Sequence, residues 1–151
     1  MIKKINVGHT PKAVIVMDVE SPECIEWCQH LRDTFEHHRE TAAGIALNQI
    51  WDEYDPPLKI FIARIPGQVG PEIFINPVGK GSGGHVKNYE KCLSFPNLPP
   101  IMKSRWKNYT ILYTREDDTE NSFKVGQPWC RALQHEVDHL NGVVCYPRKK
   151  Q

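Results

Sequence analysis

Apolar positions along this chain recur with two different periods, and these separate helical ends from a strand-rich middle. Cys24, Cys28, Leu31 and Phe35 fall on one stripe at helical spacing. Ser21-Pro22 precedes them, an N-cap residue followed by a proline that a first helical turn accepts. Near the other end, Cys130, Leu133, Val137 and Leu140 repeat the helical spacing. Gln127-Pro128 lies before that stripe and Asn141-Gly142 supplies a C-terminal stop. Between the two helices, Ile60–Arg64 and Glu72–Asn76 read as strands joined through a Pro66-Gly67 turn, with Pro77 closing the second. Tyr109–Thr114 and Ser122–Val125 read as a last strand pair around the acidic turn Glu116-Asp117-Asp118. Ala13–Met17 is a short apolar run, a first strand or an extended segment. Gly79–Gly84 has the look of a phosphate loop but lacks the Walker spacing and a following helix, so a mobile connection is expected. The fold class that follows is α+β, mostly antiparallel strands with a helix near each end, in a single domain over residues 1–151.

Composition narrows the functional classes. A formal net charge of +1 leaves no electrostatic footprint for nucleic acid or an anionic membrane surface. The basic end, Arg148-Lys149-Lys150, reads as a solvated tail. No run approaches the roughly 18 apolar residues of a membrane span, and no signal-peptide core follows Met1–Asn6, so a cytoplasmic location is expected. Five cysteines, an odd number at irregular spacing, argue for reduced thiols over a disulfide framework.

The candidate chemistry is concentrated in Gln134–Gly142. This stretch contains His-Glu-x-x-His, and on a helix residues four apart share a face, so His135 and His139 can grip one metal ion. Glu136 sits beside the first ligand, where its carboxylate can take a proton from a metal-bound water. Alone, the pattern fits equally a surface helix that carries two histidines. A catalytic metal site needs three protein ligands and an open position, and Cys92 is the candidate third. Alone among the five cysteines, it lies in a short polar stretch, away from the apolar helical faces and the terminus. Cys24 and Cys28, with His30, His37 and His38 nearby, suggest a second metal site, but small buried thiols on an apolar helical face account for them better. Gln49 ends the small, apolar stretch Thr41–Ile50 and offers a neutral hydrogen-bond donor there. Gly44, within it, would let a ligand or another backbone come close.

Three segments together resemble the peptide deformylases, metal-dependent amidases that remove the N-formyl group from nascent polypeptides. The family's signatures run Gly-apolar-Gly-apolar-Ala-Ala-x-Gln, Glu-Gly-Cys-Leu-Ser and Gln-His-Glu-x-Asp-His-Leu-x-Gly. The third is complete from Gln134 to Gly142. The second is intact at Glu90, Cys92, Leu93 and Ser94, with Lys91 in place of glycine. In the first, Ala42 stands for the first glycine, Gly44 for the second and Leu47 for the second alanine, and Gln49 is kept.

The resemblance implies that Cys92, His135 and His139 bind the metal, with Glu136 as general base and then acid. It implies that Gln49 and the backbone N–H of Leu93 donate to the oxyanion. Gly44, Ile45, Leu93 and Leu133 are expected at the methionine pocket, and Asp138 is expected to pair with a cation such as Arg105. Fe²⁺ is the implied ion in the cell, with Zn²⁺, Ni²⁺ or Co²⁺ as substitutes. The implied partner is an N-formylmethionyl nascent peptide. Because the sequence ends soon after His139, the resemblance is to short members, such as those of phages or reduced genomes, and counts against a ribosome contact through a further C-terminal helix. For a phage member the location would be the host cytoplasm. Two departures stand out: Lys91, strained if its backbone needs positive φ, and Arg131, one turn before His135 where apolar residues are usual. Two other classes compete: a zincin-like endopeptidase, for which no further His, Asp or Glu follows His139, and a metal-holding relative that binds peptides without turnover.

Overall fold

The computed structural model describes residues 1–147. The basic tail at Arg148–Lys150 lies outside the described residues. The elements in chain order are helix α1 (Pro22–His37), strand β1 (Gly44–Ala46), a 3-10 turn (Leu47–Gln49), β2 (Ile60–Ala63), β3 (Glu72–Glu90), β4 (Ile101–Thr114), β5 (Glu120–Val125) and helix α2 (Trp129–Leu140). The strands form one antiparallel sheet in the order β1-β2-β3-β4-β5.

The period-2 alternation of β2 and β3 explains how two helices find opposite faces of this sheet. Ile60, Ile62, Ile73 and Ile75 point to the side where α1 packs with Cys24, Trp27, Cys28, Leu31 and Phe35. Phe61, Ala63 and Phe74 point the other way, against Cys130, Leu133 and Leu140 of α2 and Tyr109, Ile111 and Tyr113 of β4. Covered on both faces, β2 is apolar throughout. The Ser21 hydroxyl accepts the Cys24 N–H at the start of α1, and Gly142 at φ 76° ends α2 in the left-handed region. All five cysteines are free and buried. Among the described residues no helix is long and apolar enough to cross a membrane.

The middle of the chain departs from the sequence expectation. Ala13–Met17 is extended, with one isolated parallel bridge between Val14 and Leu58. Pro77 does not close β3, and Gly79–Gly84 is not a connection. The strand runs on to Glu90 and pairs with a β4 that begins at Ile101. Two register shifts, at Ile75/Val78 and Ser82/His85, absorb the proline and the paired glycines. Asn76 takes φ 50° at the first bulge, and its side-chain amide pairs with both the N–H and the C=O of Val16. Gly83 and Gly84, both at φ 79°, serve the second bulge. The glycines are also a seat for aromatic rings, because a Cβ on Gly81 would lie 1.9 Å from the Trp106 ring. Gly81→Val is therefore expected to lower stability by about 1–3 kcal/mol through overpacking. A fall in the urea midpoint at unchanged slope checks it.

Candidate metal centre and active site

Helix α2 carries three of the site residues, and its spacing sets their geometry. His135 and His139 turn their Nε2 atoms toward each other, 3.0 Å apart. Cys92, just beyond β3, brings Sγ to 3.3 Å from His139 Nε2. One ligand atom from each of the three lies within 4.8 Å of the others. Tetrahedral sites with the usual metal–sulfur and metal–nitrogen bond lengths have edges of roughly 3.3–3.6 Å, so a thiolate and two imidazoles at these separations fit one divalent ion. The carboxylate Oε1 of Glu136 is buried with no protein partner, as expected of a group that faces a water in the working site.

A charge network fixes the first histidine. His135 Nδ1 lies 3.2 Å from Glu90 Oε2, which assigns its proton to that side and leaves Nε2 to the site. Arg105 grips Glu90 through Nε and Nη2 at 2.8 and 2.9 Å and also pairs with Asp138. The expected Asp138–Arg105 pair is thus present, and Glu90 is the additional member. Although burial opposes its charged form, the bonds from Arg105 and His135 hold the Glu90 carboxyl down at about 2. Burial likewise opposes a charged His135, but hydrogen bonds to Cys92 and Glu90 outweigh it and raise its pKa to about 10. Burial, followed by the nearby His135 and Arg105 charges, pulls His139 well below the usual histidine value. Burial pushes the Glu136 carboxyl up to about 7, with the His135 and Arg105 charges opposing.

Gln49 is held by its 3-10 turn. Its Oε1 accepts the Ala46 N–H at 2.9 Å, so Nε2 faces the site, 3.1 Å from Ser94 Oγ and 3.7 Å from Cys92 Sγ. The backbone N–H of Asn6 donates to the Gln49 carbonyl, and that of Gly8 to Ser94, so the N-terminal segment braces both loops from outside. Gly44 is required by space: a Cβ there would stand 2.9 Å from Glu136 Cγ and 2.9 Å from the Ile62 carbonyl oxygen.

A cavity of about 570 Å³ opens onto this centre. Its lining includes Gly44, Gln49, Leu93 and Glu136. Ile45 and Leu133 are corrections. Ile45 is packed into the α1 face of the sheet and Leu133 into the α2 face, and neither lines the cavity. The physical reason is periodic: Ile45 alternates with Gly44 on a strand, and Leu133 lies two residues from His135, off its helical face. The spacing that picks out His135 also picks out Pro128, Arg131 and Ala132, which do line the cavity. Lys91 is exposed at the mouth, and the only non-glycine residues with positive φ among those described are Asn76 and Asp118, so Lys91 bears no such strain. Cys24 and Cys28 belong to the core under α1 and to no cluster of metal-binding geometry among the described residues.

Comparison with known proteins converges on one family. A family model described as Polypeptide deformylase matches residues 9–151. A peptide deformylase of Rhodopseudomonas palustris is 33% identical over 118 residues, 74% of this chain and 65% of that protein. The chain spans between 51% and 65% of the length of the first relatives it matches. The fold superposes on a crystal structure of peptide deformylase from Thermotoga maritima with TM-score 0.80 at 23% identity, covering 95% of each chain. A Met-Ala-Ser-bound class I type b peptide deformylase from Acinetobacter baumannii superposes with TM-score 0.79 at 18% identity, covering 95% of this chain and 97% of that one.

Proposed function

The chain belongs to the polypeptide deformylase family, and on that premise we propose that it hydrolyses the N-formyl group from the N-terminal formylmethionine of nascent polypeptides, releasing formate. One observation carries this reading: a thiol and two imidazoles converge beside a buried carboxylate with one oxygen unpartnered, at a cavity wide enough for a side chain and its backbone.

In this reading Cys92, His135 and His139 hold a divalent ion, which we take to be Fe²⁺ in the cell, with Zn²⁺, Ni²⁺ or Co²⁺ able to replace it. Such an ion acidifies a water molecule and polarises the formyl carbonyl. The protein supplies the rest. Glu136 accepts the proton that water gives up and delivers it to the amine nitrogen as the formyl C–N bond breaks. Gln49 Nε2 and the Leu93 N–H donate to the formyl oxygen as it gains negative charge. A neutral donor suits that task because a carboxylate would repel the charge. Among the described residues β1 pairs with no strand but β2, and residues 41–44 line the cavity beside it, where an extended peptide finds backbone partners. The first side chain of the peptide then lies toward Pro128, Arg131 and Ala132. The Met-Ala-Ser complex of the Acinetobacter protein supports a methionyl peptide as the bound species.

A metal-holding relative without turnover would need neither Glu136 nor Gln49, yet Gly44 leaves room for the first and the Ala46 N–H orients the second. A zincin-like peptidase would take its third ligand from beyond the helix, whereas the third donor here comes from Cys92. The deciding experiment is formate release from a formyl-Met-Ala peptide, with protein purified without oxygen and loaded with Fe²⁺ or Ni²⁺. Metal-dependent release is expected. No release from protein with a filled site would overturn the proposal.

A further inference from the structure

One wall of the cavity is the end of β3 and the residue after it, Tyr89, Glu90 and Lys91. That end belongs to a ribbon with no third strand among the described residues. β2 pairs with residues 72–75 of β3 and β5 with residues 109–114 of β4, so among the described residues 82–90 and 101–108 pair only with each other. Two-stranded ribbons are marginal alone, and this one leans on α2.

Four polar side chains at or before α2, at positions 127, 131, 134 and 138, make most of the attachment, and the Cys130 thiol and His135 Nδ1 add bonds to Trp106, Lys107 and Glu90. Gln127 donates to the carbonyls of Trp106 and Lys107 at 3.3 and 3.0 Å. Gln134 accepts the Trp106 N–H at 2.8 Å and returns a hydrogen bond to the same residue's carbonyl at 3.0 Å, as a neighbouring strand would. Asp138 pairs with Arg105. Arg131 does most. Its Nη1 donates to the Val86 carbonyl at 2.8 Å. Its Nη2 reaches the Lys103 carbonyl at 2.6 Å, Glu90 Oε1 at 3.1 Å and the Asn88 carbonyl at 3.4 Å. Of the four, Arg131 alone joins both strands of the ribbon, and it lines the cavity as well.

We infer that Arg131 is a positioning residue that fixes the Tyr89–Lys91 wall of the substrate cavity by clamping the ribbon to the metal-bearing helix. This rests on the reading of that cavity as the site of the formylmethionyl peptide. The guanidinium is 8% exposed, and burial of such a charge is tolerated only when its donors are met. Here the two Nη groups of the planar fork meet three carbonyls and a carboxylate, which a single lysine ammonium cannot reach together, and Nε alone is left without a partner. The arginine's charge is spent inside the ribbon on Glu90 and backbone carbonyls, which explains how a cation stands where the cavity takes an apolar side chain. His135 and His139 lie on α2 itself, and Glu90 keeps its bonds to Arg105 and His135 without Arg131. Cys92, which follows the wall directly, is held from its other side by Gln49 Nε2 and the Phe95 N–H. Loss of the clamp therefore moves the wall more than the metal ligands.

The test compares metal-loaded wild type, Arg131→Met and Arg131→Lys. Methionine keeps an apolar stem and loses every guanidinium bond. For it, KM for formyl-Met-Ala is expected to rise about tenfold with kcat within about threefold, since a displaced binding wall weakens positioning. Amide exchange is expected to quicken about tenfold or more at residues 86–90 and 103 while the sheet centre stays protected. Metal content is expected to be unchanged. Arg131→Lys should recover only part of both effects, and it stands in if the methionine variant does not fold. Unchanged KM with unchanged exchange in a folded variant would overturn the inference. So would loss of protection throughout the sheet, which marks a general packing role, or a fall in kcat with loss of metal, which marks action through the ligands His135 or Cys92. If wild type itself releases no formate, the deformylase reading fails, and the exchange pattern alone still judges the clamp.

Discussion

Glu136→Gln is expected to keep its metal and its fold while formate release falls by roughly 10²–10⁴-fold, the range for loss of a general acid–base group. The substitution is close to isosteric, which matters because Glu136 Cγ already fills the space that Gly44 leaves open. An amide is also easier to bury than a carboxylate, and Glu136 is 3% exposed with one oxygen unpartnered, so thermal stability should hold or rise. The glutamine has no basic site, so it can neither take a proton from water nor return one to the leaving nitrogen. Metal analysis, a melting curve and turnover on one preparation make the check. Activity above a tenth of wild type would remove Glu136 from the proton path.

Cys92→Ser is expected to weaken metal binding by more than about a hundredfold, since changes even in the groups behind a ligand cost about 10–100-fold. A hydroxyl is a poor ligand for the softer ions that thiolates select. The fold should survive, because serine is smaller and the neighbouring Gln49 Nε2 and His139 Nε2 can hydrogen-bond its oxygen. Two measurements read the result: competition with a chelator, and the sulfur-to-metal charge-transfer absorption of the Co²⁺-loaded protein, which should vanish. An unchanged affinity together with an unchanged spectrum would sink the assignment of Cys92 as a ligand.

Helix ends, buried stripes and the spacing of His135, Glu136 and His139 were legible because they are local. A helix of 3.6 residues per turn makes i and i+4 neighbours wherever it sits, and Ser21 caps α1 from within its own turn. The same logic reached Gly44 and Gln49 as exceptional members of an apolar stretch. It failed where a partner from far along the chain decides. Gly79–Gly84 reads as a mobile connection in isolation, but rings that arrive with β4 use those glycines as seats, and Trp106 occupies the space above Gly81. Pro77 reads as a stop, but Asn76 binds Val16 sixty residues away and turns the stop into a bulge.

The same division holds in the site. Sequence alone determined an α+β chain with a helix that presents two imidazoles and a carboxylate, and the likeness of three signatures named Cys92 as their partner. Tertiary structure decided which side chains share the cavity. It brought Pro128, Arg131 and Ala132 to the wall and kept Ile45 and Leu133 in the core, and it set Arg131 between two strands and a carboxylate. The reason is range: helical and strand periods fix directions within one element, whereas a wall is made by elements that meet only on folding, and a buried arginine acquires its role from the carbonyls it meets there.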